Sequence, residues 1–344
     1  MNRLQERAPL GALAKRRCTA SCSASTPLTY ELSQKRLFLL GFPSRSSALT
    51  SDVGLTMRPL LLLSPAKTLN FESALTPFIA ALSATEPRFL SRANDLSSVL
   101  AAMPKAQLKS LMSLSDSLAA LNHARYSAFA EQEARIAIGA FEGAAYKGMD
   151  APTLKADDLE YLCASLRILC GQYGVLVPTD EIRPYRLEMS TRLAVGEHPN
   201  LYKYWSDDIT ASLLREVLDP ERKGAFVLNV ASQEYAKAVD LKQLAQAGAQ
   251  VITAVFPGPA VHAKTARGEM VRFCAQRRVT KPSELTAFTG TRGEWAFVPS
   301  ASSETELVFH RSAAGKGKGK GKADDEEDED ESQPSKPIKR ARNK

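Results

Sequence analysis

Three groups of polar residues stand where the sequence predicts that strands end or helices begin. Open α/β sheets bind ligands at the carboxyl ends of their strands, so residues at such ends are candidates for a site. Hydroxyl, lysine and arginine side chains that converge there form a site for an anion or a phosphate group. The three groups are Ser64/Lys67/Thr68, Asn229/Ser232 and Lys264/Arg267.

Two further arginines, Arg183 and Arg186, lie in one short segment with Glu188. They add two guanidinium groups to the same candidate anion site. The carboxylate of Glu188 can orient a guanidinium toward a ligand by pairing with it. The alternative is that Arg186 and Glu188 form an ion pair with no role beyond the fold.

Ser64 and Lys67 also have the Ser-x-x-Lys spacing that occurs in serine acylases. In those enzymes the serine opens a helix, and the lysine lies one turn later on the same face. Here Pro65 follows the serine directly, the segment leaves a strand, and the SDN and KTG motifs are absent. The pair therefore predicts no catalytic residue.

The segment 162–178 combines the end of a predicted helix with a Gly-x-Tyr-Gly turn. Two short helices joined by such a turn resemble a helix-hairpin-helix, whose backbone N–H groups bind a nucleic-acid phosphate without reading sequence. This interpretation makes Gly171, Tyr173 and Gly174 phosphate contacts, because the glycines allow the backbone to approach closely. The alternative is a glycine C-cap that ends a core helix.

The cysteines and histidines predict neither disulfides nor a metal site. Five cysteines are scattered without a CxxC pair, and four histidines show no HExxH or HxH spacing. Cys163 and Cys170 lie seven residues apart on a predicted helix, a pattern typical of small buried residues. They can react with an oxidant only if they are exposed and have a lowered pKa. We expect no metal and no cofactor.

Apolar strands alternate with helical segments along 57–315, which predicts an α/β fold with a mixed sheet. The chain is 44% hydrophobic, enough for one large core or two small ones. No apolar stretch has the length of a transmembrane helix, so we expect no membrane association. The predicted strands are 60–63, 134–141, 225–230 and 251–256, and the predicted helices are 96–102, 105–114, 115–129, 154–169, 205–218 and 266–276.

The two ends of the chain differ from this core in composition. Residues 1–56 are rich in Arg, Ser, Ala and Thr and poor in acidic residues, which is typical of a chloroplast or mitochondrial transit peptide. The alternatives are an extension without function, or sequence upstream of a true start at Met57. Residues 316–344 contain a Lys-Gly repeat, eight consecutive acidic residues and a basic end typical of a nuclear import signal. The alternatives for the basic end are a contact with nucleic acid and a solvated tail without function. Such sequences bury little apolar surface, so we predict that both ends are disordered.

The formal charge of +7 is concentrated in the predicted leader, and 57–315 is nearly neutral. A core that binds an anion must therefore do so through a local patch of basic residues.

Eight segments resemble, in the same order, the YaaA family of peroxide-stress proteins. The first is LLLSPAKTLNF at 61–71. The others are MSLSDSLA at 112–119, AFEGAAYKG at 140–148, LRILCGQYGVL at 166–176, RPYRLEM at 183–189, LYKYW at 201–205, LNVASQEY at 228–235 and AKTARG at 263–268. The resemblance covers about 57–311.

The resemblance implies a single α/β domain with a helix-hairpin-helix element and a positively charged cleft. It implies a monomeric, cytoplasmic DNA-binding protein that limits iron-dependent DNA damage under hydrogen peroxide stress, with no established catalytic activity. DNA would be bound through its backbone phosphates with little sequence specificity. The residues that would line the cleft are Lys67, Lys147, Arg183, Arg186, Lys264 and Arg267.

One departure from the family pattern lies beside the last two of these residues. The family has a strand hairpin before the Ala-Lys-x-Ala-Arg-Gly motif, where this chain has only 257–262. A shorter connection can change one wall of the cleft, the wall that carries Lys264 and Arg267.

Two other functions remain open at this point. The same basic groups suit an enzyme that acts on a nucleotide or another phosphorylated small molecule. The Lys-Gly and acidic sequences of the C-terminal tail suit a scaffold or a chromatin-associated protein.

Overall fold

The structure is a computed structural model that describes residues 58–222 and 225–312. The predicted leader at 1–56 and the predicted tail at 316–344 lie outside the described residues. None of the helices in the described ranges combines the length and the apolar composition needed to cross a bilayer.

The described chain contains the strands and helices that the α/β prediction requires. The strands are β1 (Leu60–Leu63), β2 (Thr68–Leu69), β3 (Arg135–Ile136), β4 (Phe141–Glu142), β5 (Leu166–Cys170), β6 (Gly174–Leu176), β7 (Glu181–Ile182), β8 (Phe226–Asn229), β9 (Gln250–Val255), β10 (Trp295–Phe297) and β11 (Glu306–Arg311). The helices are α1 (Pro77–Ala80), α2 (Leu90–Ala101), α3 (Lys105–Leu111), α4 (Asp116–Ser127), α5 (Ala137–Ala140), α6 (Ala144–Met149), α7 (Ala156–Ser165), α8 (Leu201–Val217), α9 (Gln233–Ala236), α10 (Leu241–Gln246) and α11 (Ala260–Arg277).

A seven-stranded mixed sheet forms the centre of the fold, with the strand order β10-β11-β9-β8-β1-β5-β6. The five inner strands are parallel, and β6 and β10 add antiparallel edges. From β1 the chain moves to β5 on one side and then to β8 on the other. Connections leave in opposite directions at this point, so a crevice opens beyond the carboxyl ends of β1 and β8.

The apolar runs of the sequence explain the centre of this sheet. All four residues of β1 and all five of β5 are buried. Strands of a parallel sheet are covered on both faces, so their sequences are continuously apolar rather than alternating. The Leu60–Leu63 run satisfies this requirement, and the predicted α/β class with a mixed sheet is confirmed.

The helix-hairpin-helix predicted at 162–178 is wrong. Helix α7 ends at Ser165, and β5 begins at the next residue. Strand β5 then pairs with β6 in an antiparallel hairpin, and Gly174, the first residue of β6 after the turn, has a φ of 72°. The apolar residues after the helix pack as a strand beside β1 because that position buries them on both faces. The predicted helix at 154–169 was therefore too long.

Two other connections also differ from a regular strand-and-helix alternation. The predicted strand at 134–141 contains the short helix α5 between two brief strands. Two backbone hydrogen bonds hold this helix in place. The N–H of Ala137 donates to the backbone oxygen of Asp180, and the N–H of Ile138 donates to the backbone oxygen of Pro178. Further along, four residues separate the end of β9 at Val255 from the start of α11 at Ala260, and no strand hairpin lies between them.

Candidate functional site

The first two predicted polar groups meet at the crevice between β1 and β8. Ser64 follows β1, and its Oγ accepts a hydrogen bond from the backbone N–H of Ser232 at 2.9 Å. The two hydroxyl oxygens are 3.3 Å apart. The Asn229 side chain has a structural role here, since its Oδ1 accepts from the N–H of Ala231 and its Nδ2 donates to Thr253. The sequence prediction that these strand ends converge is confirmed.

Lys67 and Arg186 are held next to each other by one carboxylate. The Nζ of Lys67 lies 3.4 Å from Oε1 of Glu188, and Nη2 of Arg186 lies 3.5 Å from the same oxygen. The ion pair considered from the sequence therefore forms, and it also includes the lysine. We call Ser64, Lys67, Arg186, Glu188 and Ser232 the switch-point cluster. Thr68 lies beside it as an exposed residue of β2.

Helix α6 connects this cluster to the third predicted group. The hydroxyl of Tyr146 donates to the backbone oxygen of Ser64 at 3.2 Å, and the next residue, Lys147, is exposed. Sequence reasoning missed Tyr146, although it precedes a candidate lysine in one of the segments that carry the family resemblance.

Lys264 and Arg267 lie on α11, which crosses α6 at very close range. A Cβ atom on Gly148 would collide with the backbone oxygen of Thr265, and one on Gly268 would collide with that of Ala145. Two helices approach this closely only where neither carries a side chain at the crossing. The predicted basic residues flank the crossing, because Lys147 precedes Gly148, Lys264 precedes Thr265 and Arg267 precedes Gly268.

Three of the predicted arginines carry a buried donor without a partner. Among the described residues, no hydrogen-bond acceptor reaches the buried Nε of Arg183, Arg186 or Arg267. Arg267 also has no ion pair in the described chain, and burial lowers its pKa. A buried cationic donor without an acceptor costs free energy. Each of the three side chains is partly exposed, so an anion can reach the exposed part of the guanidinium group and offset some of that cost.

Two buried tyrosines hold the backbone of the segment that carries Arg183 and Arg186. The Tyr173 hydroxyl accepts from the N–H of Arg183 at 3.0 Å. The Tyr126 hydroxyl accepts from the N–H of Arg186 at 3.3 Å and donates to its backbone oxygen at 2.6 Å. Burial raises the pKa of both phenols, so both remain protonated. The sequence offered no signal for Tyr126, whose contact spans 60 residues.

The phosphate contacts predicted at 171–174 are not supported by the structure. Gly171, Tyr173 and Gly174 are buried, and Tyr173 has no exposed surface. Their turn is enclosed by other elements, since the indole Nε1 of Trp205 donates to the backbone oxygen of Gly171 at 2.8 Å. These three residues belong to the core, because a phosphate can bind only to N–H groups that it can reach.

The described cysteines do not meet the conditions for sensing peroxide. Cys170 is fully buried, and burial raises its pKa to about 11 although Tyr185 contacts its sulfur at 2.9 Å. Burial also raises the pKa of Cys163, which is half-buried. Within the described residues, no group of three or more His, Cys, Asp or Glu side chains could hold a metal ion.

Comparison with known proteins identifies the family. Residues 60–301 match the sequence model of the family described as peroxide stress protein YaaA. A UPF0246 protein of Delftia acidovorans is 42% identical over 264 residues, which cover 74% of this chain and 99% of the relative. A UPF0246 protein of Paracidovorax citrulli is 42% identical over 268 residues, 74% of this chain and 100% of the relative. The UPF0246 protein Mmar10_0828 of Maricaulis maris is 38% identical over 270 residues, 75% and 98% of the two chains. The chain therefore belongs to the YaaA family of peroxide stress proteins.

Proposed function

We propose that this protein binds the phosphate backbone of DNA and limits iron-dependent DNA damage during peroxide stress. The observation that carries the proposal is that Arg183, Arg186 and Arg267 are partly exposed, while the buried Nε of each finds no acceptor among the described residues. All three were expected from the sequence to contact an anion.

A phosphate oxygen is the acceptor that suits these groups. Guanidinium groups bind phosphate through charge-assisted hydrogen bonds, which are about twice as strong as bonds between neutral groups. Burial lowers the pKa of Arg267, so the protein has placed a cation where its desolvation is not offset by a described partner. An anionic ligand at this position would offset that cost.

The exposed lysines near these arginines favour a polymer over a single phosphate group. Lys147 and Lys264 are exposed and have no ion pair among the described residues. Lys67 is exposed as well and shares Glu188 with Arg186. Basic residues spread over several elements can neutralise several phosphates, which supports backbone binding with little sequence specificity.

A helical hairpin elsewhere in the chain is a candidate for a second DNA contact. Helices α3 and α4 are joined by four residues, among which Ser113 has a φ of 51°. The N-cap Ser115 accepts from the N–H of Leu118, and Lys109 pairs with Asp116 at 2.9 Å. We propose that this hairpin, rather than 162–178, is the helix-hairpin-helix element that the family resemblance implies.

The alternative function is binding or turnover of a phosphorylated small molecule in the same place. The position of the switch-point cluster favours it, because open α/β sheets commonly bind nucleotides where the strand order reverses. A panel of mononucleotides in a thermal-shift assay tests it. A ligand at a hundred times its Kd stabilises the folded state by about 2.7 kcal/mol, so tight binding would be visible.

The test of DNA binding is fluorescence polarisation of the full-length chain with duplex DNA across a salt series. We expect the logarithm of the affinity to fall with the logarithm of the salt concentration, by about 0.9 for each neutralised phosphate. The double variant Arg183→Gln/Arg186→Gln should bind more weakly and show a shallower salt slope.

Arg277→Ala is the matched control, since Arg277 is an exposed basic residue in the last turn of α11. Binding that is insensitive to salt, or that falls equally in the control and the double variant, would contradict the proposal.

A further inference from the structure

A cavity of about 250 Å³ adjoins the switch-point cluster on the far side of Tyr146. One part of its lining is apolar and includes Leu75, Ile79, Ile138 and Phe141. The remainder is polar and includes Asn70, Thr76, Arg135, Glu142 and Lys147. Sites for small organic ligands combine apolar walls with a few polar groups in this way, at volumes of about 300 Å³ and above for whole ligands. The cavity therefore has room for part of a ligand, such as a single ring system.

Thr76 gives the cavity a hydrogen-bonding group that the protein does not use. Its Oγ1 is buried and has no hydrogen-bond partner among the described residues. Thr76 is the N-cap residue of α1, but its side chain makes no capping bond. Buried polar groups without a partner are uncommon. Thr76 lines the cavity, so rotation about its Cα–Cβ bond would bring this hydroxyl to a ligand.

Glu142 offers a second unused group on the same lining. The structure gives this partly exposed carboxylate no hydrogen bond or ion pair with any described residue. A carboxylate accepts hydrogen bonds from amino groups, such as those on the exocyclic positions of adenine, cytosine and guanine. It also repels phosphate, and Glu142 is paired with Thr68 beside the switch-point cluster, so the charges of Lys67 and Lys147 would have to offset that repulsion.

Tyr146 and Lys147 connect the cavity with the phosphate side of the site. Tyr146 lines the cavity, and its hydroxyl donates to Ser64 in the switch-point cluster. Lys147 lines the cavity and is exposed. A ligand with an uncharged ring at one end and a phosphate at the other would place the ring against Thr76 and the phosphate near Lys147.

We propose that this cavity takes the base of a nucleotide whose phosphate binds at Lys147 and the switch-point cluster. The inference rests on the proposed function and makes it more specific. In a duplex the bases are stacked, so the ligand is a base in a single strand, at a strand end or turned out of a helix. A free mononucleotide has the same chemistry and is the other source of such a base.

The test is a Thr76→Val variant of the full-length chain, measured against four fluorescent or competing ligands. Valine keeps the shape of threonine and removes the unpartnered hydroxyl. The thermal midpoint without ligand should therefore stay the same or rise, because no existing hydrogen bond is lost. The ligands are a short single strand, the same strand with abasic sites throughout, a blunt duplex and the mononucleotide dGMP.

We expect Thr76→Val to weaken binding of the single strand by about two- to tenfold, the size of one hydrogen bond, and to leave the abasic strand unchanged. A second variant, Ala74→Leu, places a larger side chain on an exposed position of the lining and should weaken the single strand at least as much. Thr286→Val is the control, because Thr286 is exposed and lies outside this lining.

A loss of affinity of Thr76→Val for dGMP as well as for the single strand identifies free nucleotides as a second source of the ligand. A loss for dGMP alone, with no duplex binding by the unmodified chain, would keep the cavity and overturn the proposed DNA function. If Thr76→Val and Ala74→Leu both bind every ligand, the duplex included, as tightly as the unmodified chain does, the cavity inference is overturned and the DNA function is kept. If Thr76→Val loses as much affinity for the abasic strand as for the intact single strand, the cavity inference is also overturned.

Discussion

Two groups of arginines at opposite ends of the central sheet have opposite electrostatic arrangements. At the amino ends of β5 and β8, Arg88, Arg167 and Arg222 surround Glu216 of α8. Arg167 donates from Nε to both oxygens of Glu216, at 3.0 and 2.9 Å, and from Nη1 to the backbone oxygen of Leu166 at 2.7 Å. At the carboxyl ends, Arg183, Arg186 and Arg267 each have a buried Nε without a described acceptor.

Residue type alone therefore does not separate a structural arginine from a binding arginine. The acceptor around Glu216 belongs to the protein, so that group stabilises the fold. In the second group only Arg186 has a described carboxylate partner, Glu188, and no acceptor reaches any of the three Nε atoms, so the fold bears a cost that a ligand can offset. Stability and binding should therefore respond in opposite ways to substitutions in the two groups.

The largest expected effect is on stability, from Glu216→Gln. This change removes the charge that compensates the buried Arg167, and breaking a buried pair in this way costs about 3 to 5 kcal/mol. Chemical denaturation of the full-length chain measures the loss. Under conditions in which the variant is folded, its affinity for duplex DNA should equal that of the unmodified chain. A loss below about 1 kcal/mol would show that the Glu216 group is not structural.

The reverse pattern is expected for Arg267→Met. Methionine keeps much of the side-chain volume and removes a desolvated cation, so stability should be unchanged or higher. Binding to duplex DNA should fall about tenfold or more, because a hydrogen bond to a charged group contributes about 1.5 to 3 kcal/mol. Denaturation and polarisation on the same protein sample give both values. A destabilised variant with normal DNA affinity would place Arg267 with the structural arginines.

A smaller effect should separate the tyrosines that position the binding arginines from other buried tyrosines. Tyr126→Phe removes both hydrogen bonds to the backbone of Arg186, at a cost of about 1 to 3 kcal/mol. Its control is Tyr161→Phe, which removes a buried hydroxyl bonded to the backbone oxygen of Val279 at 2.7 Å. Both variants should lose stability, but only Tyr126→Phe should also lose DNA affinity. Equal DNA affinity of the two variants would remove Tyr126 from the account.

The smallest expected effect is on the pH dependence of stability. Burial opposes ionisation of Glu216, but the hydrogen bond and charge of Arg167 outweigh it, and the pKa lies below its ordinary value of 4.5. A lowered pKa in the folded state contributes stability that is present above the unfolded value and lost as the pH falls through the folded value. The free energy of unfolding should therefore fall more steeply below pH 4.5 in the unmodified chain than in Glu216→Gln. Identical slopes would contradict this assignment.

The sequence predicted the parts of the fold that depend on local composition. The apolar run at Leu60–Leu63 was predicted to be a buried strand because Pro65 follows it closely, and the hydroxyls that follow it and β8 converge as expected. The segment after Ser165 was misread because an apolar stretch of five residues suits a buried helix and a buried strand equally well. Only its position beside β1, fixed by tertiary structure, makes it a strand.

The site, like the fold, was predictable only where it depends on residue type and local sequence. Lys67, Arg186 and Glu188 were identified by residue type and come together in the structure. The lack of acceptors around Arg267, and the hydroxyl of Tyr126 on the backbone of Arg186, depend on contacts between distant parts of the chain. No local pattern in the sequence carries such information.

The most direct test of the central claim is an ¹H–¹⁵N spectrum of the arginine Nε–H groups of the full-length chain, with and without duplex DNA. Single Arg→Lys variants assign the six signals of the two groups. The account predicts that the Nε–H signals of Arg183, Arg186 and Arg267 shift on adding DNA, while those of Arg88, Arg167 and Arg222 do not. Unchanged signals from the first three at saturating DNA would contradict the claim that these three guanidinium groups form the DNA site.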